Sequence, residues 1–155
     1  MASEEVMESP GPVLREAGAR ILAAADDAEL KPEGAVWLFE EEPRRWRYYL
    51  VTSLLEEKGP MWIYRKLLQV FSVFEFPPGI DKLDLRLCSP REPAMKALTD
   101  FMKGEIRDVG IRGITINNIP FSSVLIERLN PPRPREEARR VARRFERRVE
   151  ELLAA

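Results

Sequence analysis

Apolar side chains recur every three or four positions in three segments of the chain, a spacing typical of amphipathic helices. The first segment covers residues 12–26 and begins at Pro12, which is favoured in a first helical turn. The second begins after Gly59 and ends before residues 77–79, which carry two prolines and a glycine. The third has its apolar stripe over residues 95–102. The pattern predicts three helices, each with one face in the core.

Strands are predicted where aromatic and β-branched residues cluster or where polar and apolar residues alternate. Residues 35–39 and 46–52 predict a first hairpin around a charged turn, and residues 83–87 predict one half-buried strand. Residues 114–119 and 123–129 predict a second hairpin. The order of elements predicts an α+β fold: about five mostly antiparallel strands, two hairpins plus one strand, with helices on one face and a C-terminal amphipathic helix.

Composition divides the chain into four parts. Residues 1–11 are acidic and are expected to form a flexible leader, and residues 12–130 are expected to form a single α+β domain. Residues 131–135 predict a proline-rich linker, because closely spaced prolines favour extended backbone. Residues 136–155 predict an arginine-rich amphipathic helix that is separable from the domain. Truncation after Asn130 is then expected to leave a folded domain.

The C-terminal helix has an apolar seam on one side and arginines on the other. The seam alternates spacings of four and three residues, as in short coiled coils, and consists of Ala138, Ala142, Phe145, Val149 and Leu152. The arginines are Arg139, Arg140, Arg143, Arg144, Arg147 and Arg148. Arginine suits carboxylates and phosphates alike, so these six residues, with Phe145, Val149 and Leu152, are the candidate partner-binding residues. Alternatively, the seam docks on the chain's own domain or on a second copy.

Glutamates are interspersed among these arginines and are expected to neutralise part of their charge. Helical spacing offers three ion pairs: Glu136 with Arg140, Arg143 with Glu146, and Arg147 with Glu151. Such pairing favours an acidic protein surface over nucleic-acid phosphates as the ligand of this helix. The helix also has too few bulky apolar residues for a membrane surface.

The composition excludes several classes of chemistry. The 155 residues contain no histidine and a single cysteine, Cys88. A Ser-His-Asp triad, a Cys-His dyad, a histidine-ligated metal and an internal disulfide therefore cannot form. Acidic residues also lie near the N-terminus, where a signal peptide would be positively charged, so we expect a cytoplasmic protein. No cofactor and no metal ion is predicted.

One short motif is compatible with a metal-dependent nuclease. Glu56 and Lys58 have the spacing of a Glu-x-Lys motif, for which Glu40 on the preceding strand would supply a second carboxylate. A solvated connection is the favoured interpretation, because Gly59 and Pro60 follow at once.

The predicted first hairpin is compatible with binding of single-stranded nucleic acid. It places aromatic rings beside cations: Trp37, Trp46, Tyr48 and Tyr49 with Arg44, Arg45 and Arg47. Core packing is the favoured interpretation, because alternate residues of a strand pair must face the helices.

Three stretches of the sequence share a pattern of apolar signatures: GAVWLFEEEPRRWRYYLVTSLLEEKGPMWIYRKLLQV, SPREPAMKALTDFMKG and INNIPFSSVLIERL. The pattern is an alanine before W-L-[FY], a charged turn, W-R, an apolar strand and a helix containing Y-R. In this it resembles a group of small prokaryotic proteins of unknown function. The resemblance covers about residues 12–129 and omits the arginine-rich helix. It implies one domain and brings no activity with it.

The sequence thus favours a non-enzymatic cytoplasmic module that presents its arginine-rich C-terminal helix to a protein partner, or that self-associates through this helix. The alternative is a nucleic-acid-associated accessory protein that binds phosphates through the arginine face. A metal-dependent nuclease is the third hypothesis.

Overall fold

The structure, a computed structural model, describes residues 9–103 and 107–155. Its elements, in chain order, are α1 Pro12–Asp27, β1 Gly34–Glu40, β2 Arg45–Val51, α2 Leu54–Lys58, α3 Pro60–Val73, β3 Leu85–Cys88, α4 Pro93–Met102, β4 Val109–Ile116, β5 Ile119–Leu129 and α5 Arg135–Ala154. The predicted α+β fold is confirmed. The predicted leader, residues 1–11, lies mostly outside the described residues.

The five strands form one mixed, mostly antiparallel sheet in the order β3-β2-β1-β5-β4. β1 lies at its centre and pairs antiparallel with β2 and β5, and β4 pairs antiparallel with β5. β2 and β3 are parallel. A parallel pair needs a long crossover between its strands, and here α2 and α3 supply it.

Helices cover both faces of the sheet, which corrects the expectation of helices on one face. Trp37 and Tyr48 belong to an apolar cluster with residues of α1, α3 and α5. Val36 and Val51, which alternate with them along β1 and β2, belong to a second cluster with residues of α4. The physical reason is that the central strands are apolar at consecutive positions, so each face needs a cover.

The turn of the second hairpin lies earlier than the sequence pattern predicted. Asn117 and Asn118 form a two-residue turn with φ of 51° and 65°, and Ile116 pairs with Ile119. Asparagine tolerates this left-handed backbone better than most residues. Pro120 is accommodated in β5 because the pairing of β5 with β1 begins only at Val124, so its missing N–H costs no bond to β1.

Glu127 is an extra residue in the pairing of β5 with β1, because Arg128 lies opposite Ala35 and Ile126 lies opposite Val36. Trp37 Nε1 donates a hydrogen bond to Glu127 Oε1 at 3.0 Å. Tyr48 Oη lies 3.0 Å from Glu127 Oε2 and 2.9 Å from the carbonyl oxygen of Gly18 in α1. Burial raises the pKa of Glu127. The bulge thus directs the carboxyl group of Glu127 toward the interface between the sheet and α1.

Gly18 is required where α1 crosses this carboxyl group. A Cβ at this position would lie 2.9 Å from both Glu127 Oε1 and Trp37 Nε1. These neighbours are held by their mutual hydrogen bond and have little room to move. The absence of a side chain therefore lets α1 approach the sheet.

We predict that Glu127→Gln abolishes part of the pH dependence of stability. Because its pKa is raised on folding, Glu127 contributes stability below its unfolded pKa of about 4.3, and this contribution is lost as the pH rises through the folded value. A glutamine cannot ionise, and its amide can donate to Tyr48 while Tyr48 donates to Gly18. Urea unfolding from pH 4 to pH 8 should show a flatter profile and a higher free energy of unfolding at neutral pH.

The matched control is Glu16→Gln, an exposed position on α1 that should leave the profile of the wild type unchanged. If Glu127→Gln loses stability at neutral pH and keeps the slope of the wild type, the carboxyl group acts as a charge and this account of the bulge is wrong.

Candidate functional site

Helix α5 is part of the main apolar core. Its buried face consists of Ala138, Val141, Ala142, Phe145 and Val149. Phe145 is fully buried and packs edge-to-face on Trp62 of α3, with ring centroids 5.9 Å apart. Val141 was missing from the predicted seam, because that seam assumed the narrow stripe of a coiled coil. A helix on a globular domain buries a wider stripe.

This packing corrects the expected role of the seam. Phe145 and Val149, predicted to bind a partner, are buried against the chain's own domain, and Leu152 is half-buried beside them. Burial of a Phe side chain stabilises the folded chain by roughly 1.5 to 3 kcal/mol relative to leaving it exposed. The seam therefore packs against the chain's own core, which covers it while α5 is docked. Of the alternatives that the sequence left open, the structure shows the seam docked on the chain's own domain.

Residues 131–134 are fixed to the domain, although their prolines suggested a tether. The Glu33 carboxylate is 1% exposed and accepts hydrogen bonds from the Arg133 guanidinium and the Arg133 N–H, each at 3.1 Å. It also accepts from the Ser53 N–H at 3.1 Å. The Asn130 N–H donates to the carbonyl oxygen of Glu33 at 2.9 Å. This contact holds the start of α5 against β1 and α2.

The arginines of α5 lie on the side that faces solvent. Arg139, Arg140, Arg143, Arg144 and Arg147 are exposed. Arg148 is half-buried, and its Nε donates to the carbonyl oxygen of Asp27 at the end of α1, at 3.1 Å. The Arg148 guanidinium lies at the C-terminal end of α1, the negative end of the helix dipole, and this favours the contact. The helix is therefore anchored at Arg148 and carries a row of arginines elsewhere.

Four of these arginines have no partner within the described part of the chain: Arg140, Arg143, Arg144 and Arg147. Arg139 differs, because its Nε lies 3.5 Å from Glu57 Oε2. The three ion pairs predicted along the helix are not formed between the described residues. Arg133 instead pairs with Glu137 and Arg148 with Glu151, each at 3.7 Å. No carboxylate among the described residues therefore lies within ion-pair distance of these four arginines.

A groove of about 510 Å³ runs along one side of this arginine row. Its lining combines the end of α2 with the outer side of α5: Glu57, Lys58, Arg139, Ala142, Arg143, Glu146, Arg147 and Glu150. The Lys58 ammonium lies over the Trp62 ring, 5.3 Å from its centroid. The groove offers room for side chains of a docked segment beside charged groups of both signs.

The structure separates the residues of the nucleic-acid hypothesis. Trp37 and Tyr48 are fully buried, and Trp46 nearly so, so their ring faces are not available for stacking. Arg45 forms an ion pair with Asp84, and Arg47 pairs with Glu40 at 2.6 Å. Both arginines alternate with Trp46 and Tyr48 along β2 and therefore face away from the side of the sheet that α5 covers.

The residues of the nuclease hypothesis also lie apart. Glu56 accepts hydrogen bonds from Ser89 and Arg91, and the Ser89 bond lowers its pKa. Glu40 is at the far end of β1 from Gly34, about 20 Å along the strand, whereas α2 follows the strand end that pairs with Gly34. Among the described residues, no three acidic or cysteine side chains are grouped to hold a metal ion.

Cys88 is buried in the cluster between the sheet and α4. Burial raises its pKa to about 12, so the thiol is protonated at neutral pH. A protonated, buried thiol packs as a small apolar group.

Comparison of the chain with protein-family models, with curated proteins and with solved structures finds no match. The resemblance to small prokaryotic proteins therefore stays a prediction. Within the described residues, no helix combines the length and the apolar composition needed to cross a bilayer.

We predict that Phe145→Ala destabilises the whole domain. Loss of a fully buried Phe side chain costs about 3 to 5 kcal/mol in the free energy of unfolding. Leu153→Ala is the matched control on the same helix, because Leu153 is 46% exposed and its truncation should cost less than about 1 kcal/mol. Urea unfolding followed by tryptophan fluorescence measures both. A Phe145→Ala variant as stable as the control would show that α5 is not part of the cooperative core.

Proposed function

We propose that this protein is a non-enzymatic, cytoplasmic interaction module whose docked helix α5 presents its arginine face to an acidic surface of a protein partner. The observation that supports the proposal is the set of four arginines without a partner among the described residues, Arg140, Arg143, Arg144 and Arg147, on about two turns of an anchored helix. The partner is recognised by charge, since the apolar side of α5 is already covered.

Anchoring favours such an interaction. Binding to a flexible segment loses free energy because the segment must become ordered. Here the backbone of the arginine row is fixed by Phe145 on the buried side, by Glu33 and Arg133 before the helix, and by Arg148 at α1. The planar guanidinium groups can then form bidentate hydrogen bonds with carboxylates at little further cost in conformational entropy.

An acidic protein surface suits this face better than nucleic acid. Glu146 and Glu150 lie among the arginines along the groove and would repel a continuous run of phosphates. Three of the four rings considered for stacking on unpaired bases, Trp37, Trp46 and Tyr48, are buried under the helices. The single cysteine, buried and unpaired, suits the reducing cytoplasm.

We predict that charge reversal on the arginine face weakens partner binding at least about tenfold. Proteins captured by the immobilised chain from an extract of the source organism would be identified and purified, and then titrated with the wild type and with Arg140→Glu/Arg144→Glu. The matched control is Arg20→Glu/Arg65→Glu, which makes the same charge change at exposed positions on α1 and α3 and should bind like the wild type.

Equal loss of binding in both double variants would mean that net charge, and not α5, determines the interaction, which contradicts the proposal. The nucleic-acid alternative is tested in parallel by fluorescence anisotropy with a labelled single-stranded RNA and a labelled DNA duplex. Tight binding that falls steeply with salt and disappears in Arg143→Glu/Arg147→Glu would replace the protein partner by phosphates.

A further inference from the structure

Another cavity, of about 350 Å³, lies where α2, the turn before α4 and the start of α5 meet. These three segments are distant in sequence, and each contributes charged or hydroxyl side chains to the lining. The polar lining residues are Ser53, Glu56, Glu57, Arg91, Arg133 and Arg135. Three guanidinium groups therefore converge on one cavity.

The carboxylates of this cavity already have their partners. Both oxygens of Glu56 accept hydrogen bonds from Arg91 Nη1, at 2.9 and 3.1 Å. Glu57 has one oxygen 3.3 Å from Arg135 Nε and the other 3.5 Å from Arg139 Nε. A ligand that donates hydrogen bonds would therefore have to displace an arginine.

The donors of the cavity exceed its acceptors. In the described chain, Nε and Nη2 of Arg91 and both Nη atoms of Arg135 have no hydrogen-bond partner. The hydroxyl of Ser53, a residue that is 2% exposed, also lacks one. A buried hydroxyl without a partner costs free energy, and a ligand that accepts from it removes that cost. Rotation about χ1 can bring this hydroxyl to a ligand in the cavity. The cavity therefore favours a ligand with negatively charged acceptors.

These donors suit a phosphate group better than a carboxylate. Guanidinium groups bind phosphate oxygens through pairs of parallel hydrogen bonds. A phosphate group attached to a molecule keeps three acceptor oxygens, which point in different directions. The donors here come from three different segments around the cavity, so each oxygen can find its own donor. A carboxylate offers only two oxygens in one plane.

We propose that this cavity binds a phosphate group, carried by a small molecule or by a phosphorylated side chain, with Arg91, Arg135 and the Ser53 hydroxyl as its donors. Arg133 stays paired with Glu33 and holds the adjoining backbone in place. The bound group bridges α2 and the start of α5, so it strengthens the docking of α5. The site is separate from the arginines on which the proposed function rests, because Arg140 and Arg144 do not line the cavity.

The test is a titration of the isotope-labelled chain, followed by NMR chemical shifts of its amides at neutral pH and constant ionic strength. The probes are inorganic phosphate, O-phosphoserine and a short phosphoserine peptide, and acetate and chloride serve as reference anions. Phosphate should produce saturable shifts at the amides of residues 53–57, 91 and 135, and chloride should produce none. Acetate should bind at least about fivefold more weakly than phosphate, because it bonds fewer donors.

Three variants separate the donors from net charge. Arg91→Gln/Arg135→Gln should weaken phosphate binding at least about tenfold, because it removes two charged donors. The matched control is Arg140→Gln/Arg144→Gln, which removes the same charge outside the cavity and should bind phosphate like the wild type. Ser53→Ala should weaken binding about fivefold and leave the urea midpoint unchanged, since this hydroxyl has no bond to lose.

The peptide arm identifies the source of the phosphate group. Tighter binding of the phosphoserine peptide than of O-phosphoserine supports a phosphorylated protein as the ligand, and equal binding supports a small molecule. Both results support the phosphate site.

An adventitious ion only is the contrary outcome. Shifts that do not saturate, shifts confined to residues 140–148, or an equal loss of binding in both double variants would overturn the proposal. None of these results affects capture of a partner through Arg140 and Arg144, so failure of the phosphate site is distinguishable from failure of the proposed function.

Discussion

The buried carboxylate of Glu33 joins the three segments on which the position of α5 depends. It lies just before β1, accepts the Ser53 N–H just before α2, and pairs with Arg133 just before α5. A buried carboxylate is stable only when its oxygens are bonded, and here the bonds reach two distant parts of the chain, Ser53 and Arg133. The proline-rich segment is held by this contact, so α5 begins at a fixed place on the core.

With its start fixed, α5 divides into two surfaces with different roles. The apolar side completes the core against α3 and the sheet, which gives the helix its stability. Within the described residues, the outer side of α5 contacts the rest of the domain through Arg135 and Arg139, which pair with Glu57, and through Arg148, which binds the end of α1. Substitution of the exposed charged residues there changes the free energy of unfolding little, so this surface can serve recognition independently of folding.

Local patterns predicted most of the fold. The periods of α1, α3 and α4 and the charged turn of the first hairpin were sufficient to locate these elements to within a few residues. The position of the second turn does not follow from local pattern, because the apolar and β-branched residues of 114–119 continue on both sides of Asn117 and Asn118. Helices on both faces do not follow from strand alternation alone; the continuous apolar run of β1 is the pattern that indicates them.

The candidate site was only half predictable. The arginine row follows from helical spacing alone, and its exposure agrees with the structure. What the seam packs against does not follow from the sequence, because the same apolar stripe suits the chain's own domain, a second copy or a partner. The deciding contact, Glu33 with Arg133, joins residues 100 positions apart, and nothing local in the sequence connects them.

Native-state hydrogen exchange tests the central claim, that α5 belongs to the cooperative core while its outer side stays free. The account predicts that the amides of residues 141–149 exchange only through global unfolding, with the same opening free energy as the amides of β1. Exchange of these amides by a separate opening several kcal/mol lower, while β1 stays protected, would contradict it and restore α5 as a detachable element.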